Sequence, residues 1–359
     1  MYIYKHFIPE NTAPKGAKRI GVYKGNERIC TVPLGRLTPV GKEPLYSFGL
    51  VSDTHITMNN ERNRADFAKA MDLFEAYGCA FACNAGDITN VGFRADGDKT
   101  TLFVDQFAEY KRICDLHPAL PVYELCGNHE SYVVAITENL PELETYTGQG
   151  NIAYTVTHGN DVYIFVGQST AGLPMSYDHM QWLYEQLEEN RNKRCFVFFH
   201  SFLNDDSGNP LGLRDNSLFA SFTPTRLSVF KRMCEHYKNA IFFHGHSHMK
   251  FESQEFDASA NYTEKNGFRS VHIPSCAMPR TLFQIINEKG EVSWDWHDDS
   301  QTDNESYGYI VDVYDDCIVL NGLDFASEKP VPLGVYKINT TLQAIEADTF
   351  TDSTGIIVT

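Results

Sequence analysis

Three histidines stand at alternate positions in the segment "FFHGHSH", residues 242–248, directly after an apolar run. Imidazole nitrogens bind transition metals and exchange protons near neutral pH, so His244, His246 and His248 are candidates for either chemistry. On a continuing strand, alternate side chains share one face and the three rings would lie together. Gly245 argues against that arrangement, because glycine after an apolar run is typical of a turn. The segment is therefore interpreted either as a metal-binding turn or as a strand that ends in histidines.

Polar side chains of the same kinds follow four other apolar runs. The motifs are Asp53-Thr54-His55, Gly86-Asp87-Ile88-Thr89-Asn90, Gly127-Asn128-His129-Glu130 and the lone His200. Each motif alone has an ordinary structural interpretation, such as an Asx turn at Asp53. Open α/β sheets, however, form their sites at the carboxyl ends of the strands, where five such motifs would meet. The ordered set therefore predicts one site.

The elements that must position these residues alternate along the chain. The run "YSFGLVS" precedes a helical pattern with Phe67, Ala70, Met71 and Phe74 at i, i+3, i+4 and i+7, and similar pairs of runs follow. Strands that alternate with amphipathic helices predict an α/β fold with parallel strands. Residues 1–44 are rich in Pro, Gly and Lys, and residues 301–359 are β-rich and acidic. We expect both ends to be small β-rich appendages.

Composition limits the classes of partner. The 359 residues carry a formal net charge of -17, with an isoelectric point of about 5.1, which argues against a nucleic-acid polymer as ligand. No apolar run approaches the roughly 20 residues of a membrane span, and we find no secretion signal. Nine cysteines, mostly in apolar stretches, are typical of buried free thiols. We expect a cytoplasmic protein that does not bind membranes.

The ordered motifs "DTH", "GDITN", "GNHE", "HS" and "GHSH" resemble those of the calcineurin-like metallophosphoesterases over roughly residues 46–275. The resemblance implies a four-layer αββα sandwich of two mixed β-sheets flanked by helices. Residues 45–300 would be the catalytic domain, between an N-terminal arm or appendage (1–44) and a C-terminal β-rich appendage (301–359).

The resemblance also implies a dinuclear metal site. The implied ligands are Asp53, His55 and His248 for one ion, Asn128, His200 and His246 for the other, and Asp87 as a bridge between them. Carboxylate oxygens and imidazoles without cysteine suit Fe, Zn or Mn. By the same resemblance, a hydroxide bridging the two ions would be the nucleophile, because metal coordination lowers the pKa of water to about 7.

Four neighbouring residues have less direct roles. By resemblance, His129 would face the phosphate and stabilise developing charge or protonate the leaving oxygen, whereas the alternative is a histidine that packs the turn. Glu130 either orients His129 or caps the following segment. Asn90 is expected to tie down its own loop. His244 is expected to be a packed neighbour of the ligands, with Gly245 turning the chain so that His246 and His248 diverge.

The resulting functional hypothesis is a phosphoesterase that uses two divalent ions to hydrolyse a monoester or diester. Its substrate would be a small phosphorylated molecule, which an acidic protein can bind where metal ions reverse the local field. The alternative is a non-catalytic metal-binding scaffold whose terminal β appendages engage a protein partner. Acidic residues near the C-terminus, among them Asp312, Asp315 and Asp316, lack the spacing of a calcium loop and predict a solvated acidic surface.

Overall fold

The computed structural model describes residues 19–24, 27–33, 43–92, 98–136, 153–168, 175–201, 224–252, 261–286, 289, 292–298, 304–342, 345, 350–351 and 357–358. The helices in these ranges are α1 (Glu61–Ala76), α2 (Lys99–Asp115), α3 (Asn128–Ile136), α4 (Tyr177–Glu189) and α5 (Pro224–His236). The strands are β1 (Arg19–Lys24), β2 (Glu27–Pro33), β3 (Tyr46–Val51), β4 (Phe81–Asn84), β5 (Val122–Glu124), β6 (Ala153–His158), β7 (Asp161–Val166), β8 (Cys195–Phe199), β9 (Ala240–His244), β10 (Tyr262–Lys265), β11 (Phe268–His272), β12 (Arg280–Ile286), β13 (Val292–Asp298), β14 (Tyr307–Val313), β15 (Cys317–Asp324), β16 (Lys329–Asn339), β17 (Phe350–Thr351) and β18 (Ile357–Val358).

Two six-stranded mixed sheets contain most of these strands. Sheet I has the order β10-β11-β9-β8-β7-β6, and sheet II has the order β16-β15-β14-β3-β4-β5. Strands β7, β8, β9 and β11 are parallel in sheet I, as are β3, β4 and β5 in sheet II. Helices follow β3, β4, β5, β7 and β8 along the chain. This alternation is the one that the sequence pattern predicts.

Three apolar layers separate four layers of secondary structure. Phe67 of α1 and Phe107 of α2 pack on the outer face of sheet II, where the side chain of Val51 also lies. Phe48, three residues earlier on the same strand, joins the layer between the sheets, since alternate side chains of a strand point to opposite faces. Helices α4 and α5 cover sheet I, for example through Leu183. The fold is thus the expected αββα sandwich.

The C-terminal strands belong to the core. Strand β14 pairs with β3 in the middle of sheet II, with Tyr309 opposite Leu50, and β15 and β16 extend the same sheet. Residues 307–339 are therefore part of the sandwich, and the prediction of a C-terminal appendage is wrong for them. The local pattern shows that these residues are β-rich but does not show which distant strand they pair with. The N-terminal strands β1 and β2 form an antiparallel hairpin.

One of the acidic C-terminal residues is also in the core. Asp312 on β14 is buried, and it accepts hydrogen bonds from the Ser47 hydroxyl at 2.6 Å and the Asn321 amide at 3.1 Å. The predicted solvated acidic surface is wrong for this residue, because its strand is central in the sheet. Asp315 and Asp316, in the turn after β14, are exposed as expected.

Two further expectations concern cysteines and membranes. Eight described cysteines are free and buried: Cys79, Cys83, Cys114, Cys126, Cys195, Cys234, Cys276 and Cys317. No helix in the described ranges combines the length and apolar character needed to cross a membrane.

A buried carboxyl group couples the stability of the sandwich to pH. Glu124 at the end of β5 is 1% exposed, and neither of its carboxyl oxygens has a hydrogen-bond partner within the described residues. Burial raises the pKa of Glu124 to about 8, although the positive charge of Lys111 opposes the shift. The folded protein therefore holds a proton at pH values where an unfolded chain, with a glutamate pKa of about 4.3, has released it.

We predict that Glu124→Gln, which keeps the shape but cannot titrate, gains stability over the native protein as the pH rises from 5 to 8. The native protein loses up to about 1.4 kcal/mol of unfolding free energy per pH unit in this window, because folding retains a proton that the unfolded chain releases. Urea unfolding at pH 5, 6, 7 and 8 measures the difference. Glu185→Gln, at an exposed position of α4, is the control, and its unfolding free energy relative to the native protein should not change with pH. The prediction would be contradicted if the same were found for Glu124→Gln.

Candidate metal centre

The predicted site residues lie where the carboxyl ends of five parallel strands meet. Asp53 follows β3, Asp87 follows β4 and Asn128 follows β5, all in sheet II, while His200 follows β8 and His246 follows β9 in sheet I. Nε2 of His200 lies 3.1 Å from Oδ2 of Asp87, so side chains from the two sheets meet directly.

One group of ligand atoms comes from Asp53, His55, Asp87 and His248, whose side chains are all buried. Nε2 of His248 lies 3.0 Å from Oδ1 of Asp53 and 3.1 Å from Nε2 of His55. Nε2 of His55 lies 3.9 Å from Oδ2 of Asp87. Two ligands bound at 2.0–2.2 Å to one ion are about 3.0 to 3.5 Å apart, so most of this group has the spacing of a coordination shell.

A second group shares Asp87 with the first. It consists of Asp87, His200 and His246, and the amide oxygen of Asn128 lies 3.1 Å from Nε2 of His200. The ring centres of His200 and His246 are 5.1 Å apart. The two groups divide the residues as the motif resemblance divides them, with one carboxylate common to both.

Each of the two carboxylates is held by one oxygen and offers the other to the cluster. Oδ2 of Asp53 accepts a hydrogen bond from the His246 backbone N–H at 3.0 Å, and Oδ1 of Asp87 accepts one from the His129 N–H at 2.9 Å. Oδ1 of Asp53 is buried with no hydrogen-bond partner among the described residues. Such an oxygen is costly unless a cation binds it. These donors therefore fit a divalent ion.

Backbone carbonyls fix the orientation of two imidazoles. Nδ1 of His200 donates to the Ala85 carbonyl at 2.9 Å, and Nδ1 of His248 donates to the Met278 carbonyl at 3.0 Å. Because a carbonyl can only accept, these bonds place a proton on Nδ1 and direct Nε2 at the cluster. That is the tautomer that a metal ligand requires.

The protonation states follow from burial and from neighbouring charges. Burial lowers the pKa of His55, His248 and His246, the last to about 3, so that these imidazoles are neutral. Burial alone would raise the pKa of Asp87, but the facing His200 holds it well below its ordinary value. For His200, burial lowers the pKa, yet the nearby carboxylates raise it to about 9. A bound cation would take the place of that proton, since metal binding releases protons from its ligands.

The backbone at the cluster is in an unfavourable conformation. Five of the seven described non-glycine residues with positive φ are cluster residues: Asp53 (54°), His55 (40°), Asp87 (50°), His246 (71°) and His248 (63°). The left-handed region costs residues other than glycine about 1–3 kcal/mol each. Strain concentrated at one place is typical of a functional site, and surrounding contacts must hold it there.

Glycines allow the cluster segments to approach one another. A Cβ on Gly245 would lie 1.9 Å from Oγ of Ser52 and 2.6 Å from Oδ2 of Asp53. The chain turns after β9 as predicted, but the left-handed residues are His246 and His248. Gly245 is needed for space rather than for its own turn conformation.

His129 lies beside the two groups and belongs to neither. Its side chain is 22% exposed, with Nε2 3.7 Å from Oδ2 of Asp87 and its ring 4.6 Å from that of His55. A Cβ on Gly92 would lie 2.9 Å from the ring, so this glycine makes room for the imidazole. This partly exposed position suits a side chain that contacts a molecule entering the site from solvent.

Glu130 acts as a cap. One carboxylate oxygen accepts from the Gly127 N–H at 2.8 Å, and the other accepts from the N–H and the hydroxyl of Thr89, both at 2.8 Å. Gly127 immediately precedes α3, so Glu130, at the third helical position, makes the carboxylate half of a capping box. Of the two alternatives left open by the sequence, the capping role is the one these bonds support. The bond to Thr89 also ties the "GNHE" and "GDITN" loops together.

The sequence reasoning missed His272. His244 is buried with its ring 5.4 Å from that of His272, which agrees with the expected packed position. His272 is hydrogen-bonded through Nε2 to Oγ of Ser247, the residue between two predicted ligands, at 2.6 Å. The signal was available, because His272 ends the run "RSVH" as the other site residues end theirs. The loops expected to choose the substrate are residues 88–100, 131–152 and 201–222, and their parts at 93–97, 137–152 and 202–222 lie outside the described residues.

The residue groups on this αββα sandwich fit a dinuclear metal-binding centre. The sequence matches the calcineurin-like phosphoesterase family over residues 46–250, more than half of the chain, and the protein belongs to that family. No curated protein matches the sequence at a significant level.

One solved structure gives the same fold assignment. A dimetal phosphatase from Danio rerio superposes with a TM-score of 0.56 at 12% identity, over 83% of this chain and 100% of that one. A predicted phosphoesterase from Streptococcus pneumoniae gives 0.36 at 11% identity, over 82% and 97%. The E. coli phosphoesterase Yfce gives 0.35 at 9% identity, over 82% and 100%. Of these three, the first shows that the fold is shared.

We predict that Gly245→Ala lowers metal content, because the added methyl group displaces Ser52 or Asp53, at a cost of about 1–3 kcal/mol. The control is Gly159→Ala, in the open turn between β6 and β7 at φ 61°, where no atom lies within 4 Å. The control loses about 1–2 kcal/mol to backbone strain and keeps its metal. Elemental analysis and thermal unfolding measure both effects. Equal metal content in the two variants would contradict the prediction.

Proposed function

We propose that this protein is a metal-dependent phosphoesterase that hydrolyses a phosphate monoester or diester. The observation that carries the proposal is the pair of ligand groups that share Asp87. Membership of the calcineurin-like phosphoesterase family supports it. The expected substrate is a small phosphorylated molecule, since a net charge of -17 disfavours a nucleic-acid polymer.

The ligands would divide between two ions. Asp53, His55 and His248 would hold one ion, Asn128, His200 and His246 the other, and Asp87 both. Bound there, divalent ions would supply an activated water, with a pKa of about 7, and positive charge to stabilise the phosphate oxygens. Oxygen and imidazole donors suit Fe, Zn or Mn.

The protein's own groups have two tasks in this mechanism. The backbone N–H of His129 donates to Oδ1 of Asp87 and orients its carboxylate, so the shared ligand would be fixed before a substrate arrives. The partly exposed His129 imidazole would stabilise charge on the phosphate or give a proton to the leaving oxygen. We further propose a reducing, cytoplasmic location, on the basis of eight buried free cysteines.

Asp87→Asn is expected to abolish most activity and to weaken metal retention, because the substitution removes the charge that both ion sites share. We expect a loss of more than about 100-fold, beyond the range for residues that only support a ligand. The assay uses an aryl phosphate monoester and an aryl phosphate diester with added Mn²⁺ or Zn²⁺. Asp315→Asn, at an exposed position, is the control. Unchanged turnover in Asp87→Asn would reject the proposal. Native activity no higher than the metal blank would also reject it, and is the result expected of a non-catalytic scaffold.

His129→Ala is expected to lower turnover by about 10²- to 10⁴-fold, the range for a lost general acid, while both ions stay bound. The physical reason is that His129 lies outside both ligand groups yet reaches solvent beside them. Steady-state kinetics and elemental analysis on the same preparation separate the two effects. Loss of an ion from this variant would instead identify His129 as a ligand.

A further inference from the structure

We propose that residues 272–280, "HIPSCAMPR", form a positioning segment for one of the two ion sites, the site of Asp53, His55 and His248. The inference rests on the proposed function for its two-ion centre. The segment lies beyond residues 46–250, where the sequence matches the family.

The positioning segment holds the backbone at Asp53. The Ser275 hydroxyl donates to the Asp53 carbonyl at 3.1 Å, and the Ala277 N–H donates to the same oxygen at 3.2 Å. The Cys276 N–H donates to the Ser52 carbonyl at 3.0 Å. Asp53 has a left-handed backbone, a conformation that does not persist without such contacts.

The same segment holds His248 from both sides. The Met278 carbonyl accepts from Nδ1 of His248 at 3.0 Å, and the Arg280 N–H donates to the His248 carbonyl at 2.8 Å. One bond sets the tautomer and direction of the ring, and the other holds its left-handed backbone. Metal ligation by His248 therefore depends on where residues 278–280 lie.

Two side chains fix the positioning segment itself. Ser275 is completely buried, and its oxygen accepts from the backbone N–H of Met278 at 2.8 Å and that of Ala277 at 3.2 Å. At the start of the segment, Nε2 of His272 bonds Oγ of Ser247 at 2.6 Å. Ser275 thus links the turn of the segment to Asp53, and His272 links it to the loop of His248.

The hydrogen bonds of the positioning segment hold ligands of one ion site. In the described residues, the hydrogen bonds that hold the ligands of the other site come from elsewhere: Nδ1 of His200 bonds the Ala85 carbonyl. The shared Asp87 is held by the His129 N–H. A defect in the positioning segment should therefore weaken one ion and spare the other.

The experiment compares Ser275→Ala with Ser47→Ala by titrating each metal-free protein with Mn²⁺. Calorimetry measures the dissociation constants of the two ions. Electron paramagnetic resonance measures the coupling between them. Ser47→Ala is matched, because it removes a buried serine hydroxyl with a 2.6 Å bond at the opposite end of β3. In Ser275→Ala, we expect one dissociation constant to rise about 10- to 100-fold, the range for groups that support a ligand, with the other within about threefold. At one equivalent of Mn²⁺, the native protein should show the signal of a coupled pair, and Ser275→Ala should show that of a single ion.

A second pair of variants distinguishes the loss of a specific hydrogen bond from misfolding. His272→Leu removes the bond to Ser247, whereas His272→Gln can place an amide near the position of Nε2 and should restore the weaker ion. Equal weakening of both ions in Ser275→Ala, or no weakening with native circular dichroism, would overturn the inference. A native protein that does not bind two ions would instead reject the two-ion centre of the proposed function.

Discussion

The constraint on which the rest of the structure depends is the burial of two carboxylates, Asp53 and Asp87, in one cluster. Each is at most 1% exposed, and each is ionised in the company of imidazoles. Burying such charges costs several kcal/mol each unless they are paired or bind a cation. The left-handed backbones, the glycines at close contacts and the carbonyl-bound histidines are all arrangements that bring compensating groups to these two side chains.

The sandwich makes that arrangement possible because it is rigid below the cluster. Parallel pairing sets Val51 beside Asn84, so the segments that carry Asp53 and Asp87 leave sheet II at the same level. Aromatic rings fill the layer between the sheets, with Phe165 and Phe198 at 4.8 Å between ring centres. Close packing of this kind has low compressibility, so sheet I can present His200 to a carboxylate of sheet II at a fixed distance.

Local sequence was enough to predict which side chains meet in the cluster, but not which residues support them. Asp53, Asp87 and His200 each follow an apolar run directly, and that pattern is readable without a structure. The strand that carries Asp312 was predicted to belong to an appendage, although it lies in sheet II. Its partner β3 is some 260 positions earlier, and no local pattern specifies such a pairing. Ser275 was overlooked for the same reason, since its hydroxyl acts on a residue far away in the chain. The need for glycine at position 245 likewise depends on distant residues, because Ser52 and Asp53 occupy the space that a side chain would take.

The central claim is that this cluster holds two ions and that Asp87 is common to both. The most direct measurement is a crystal structure of the Mn²⁺-loaded protein with anomalous difference maps. Two peaks about 3.5–4 Å apart are expected, with Asp87 bound to both, Asp53 and His248 on one and His200 and Asn128 on the other. A single peak, or two peaks without a shared Asp87, would contradict it.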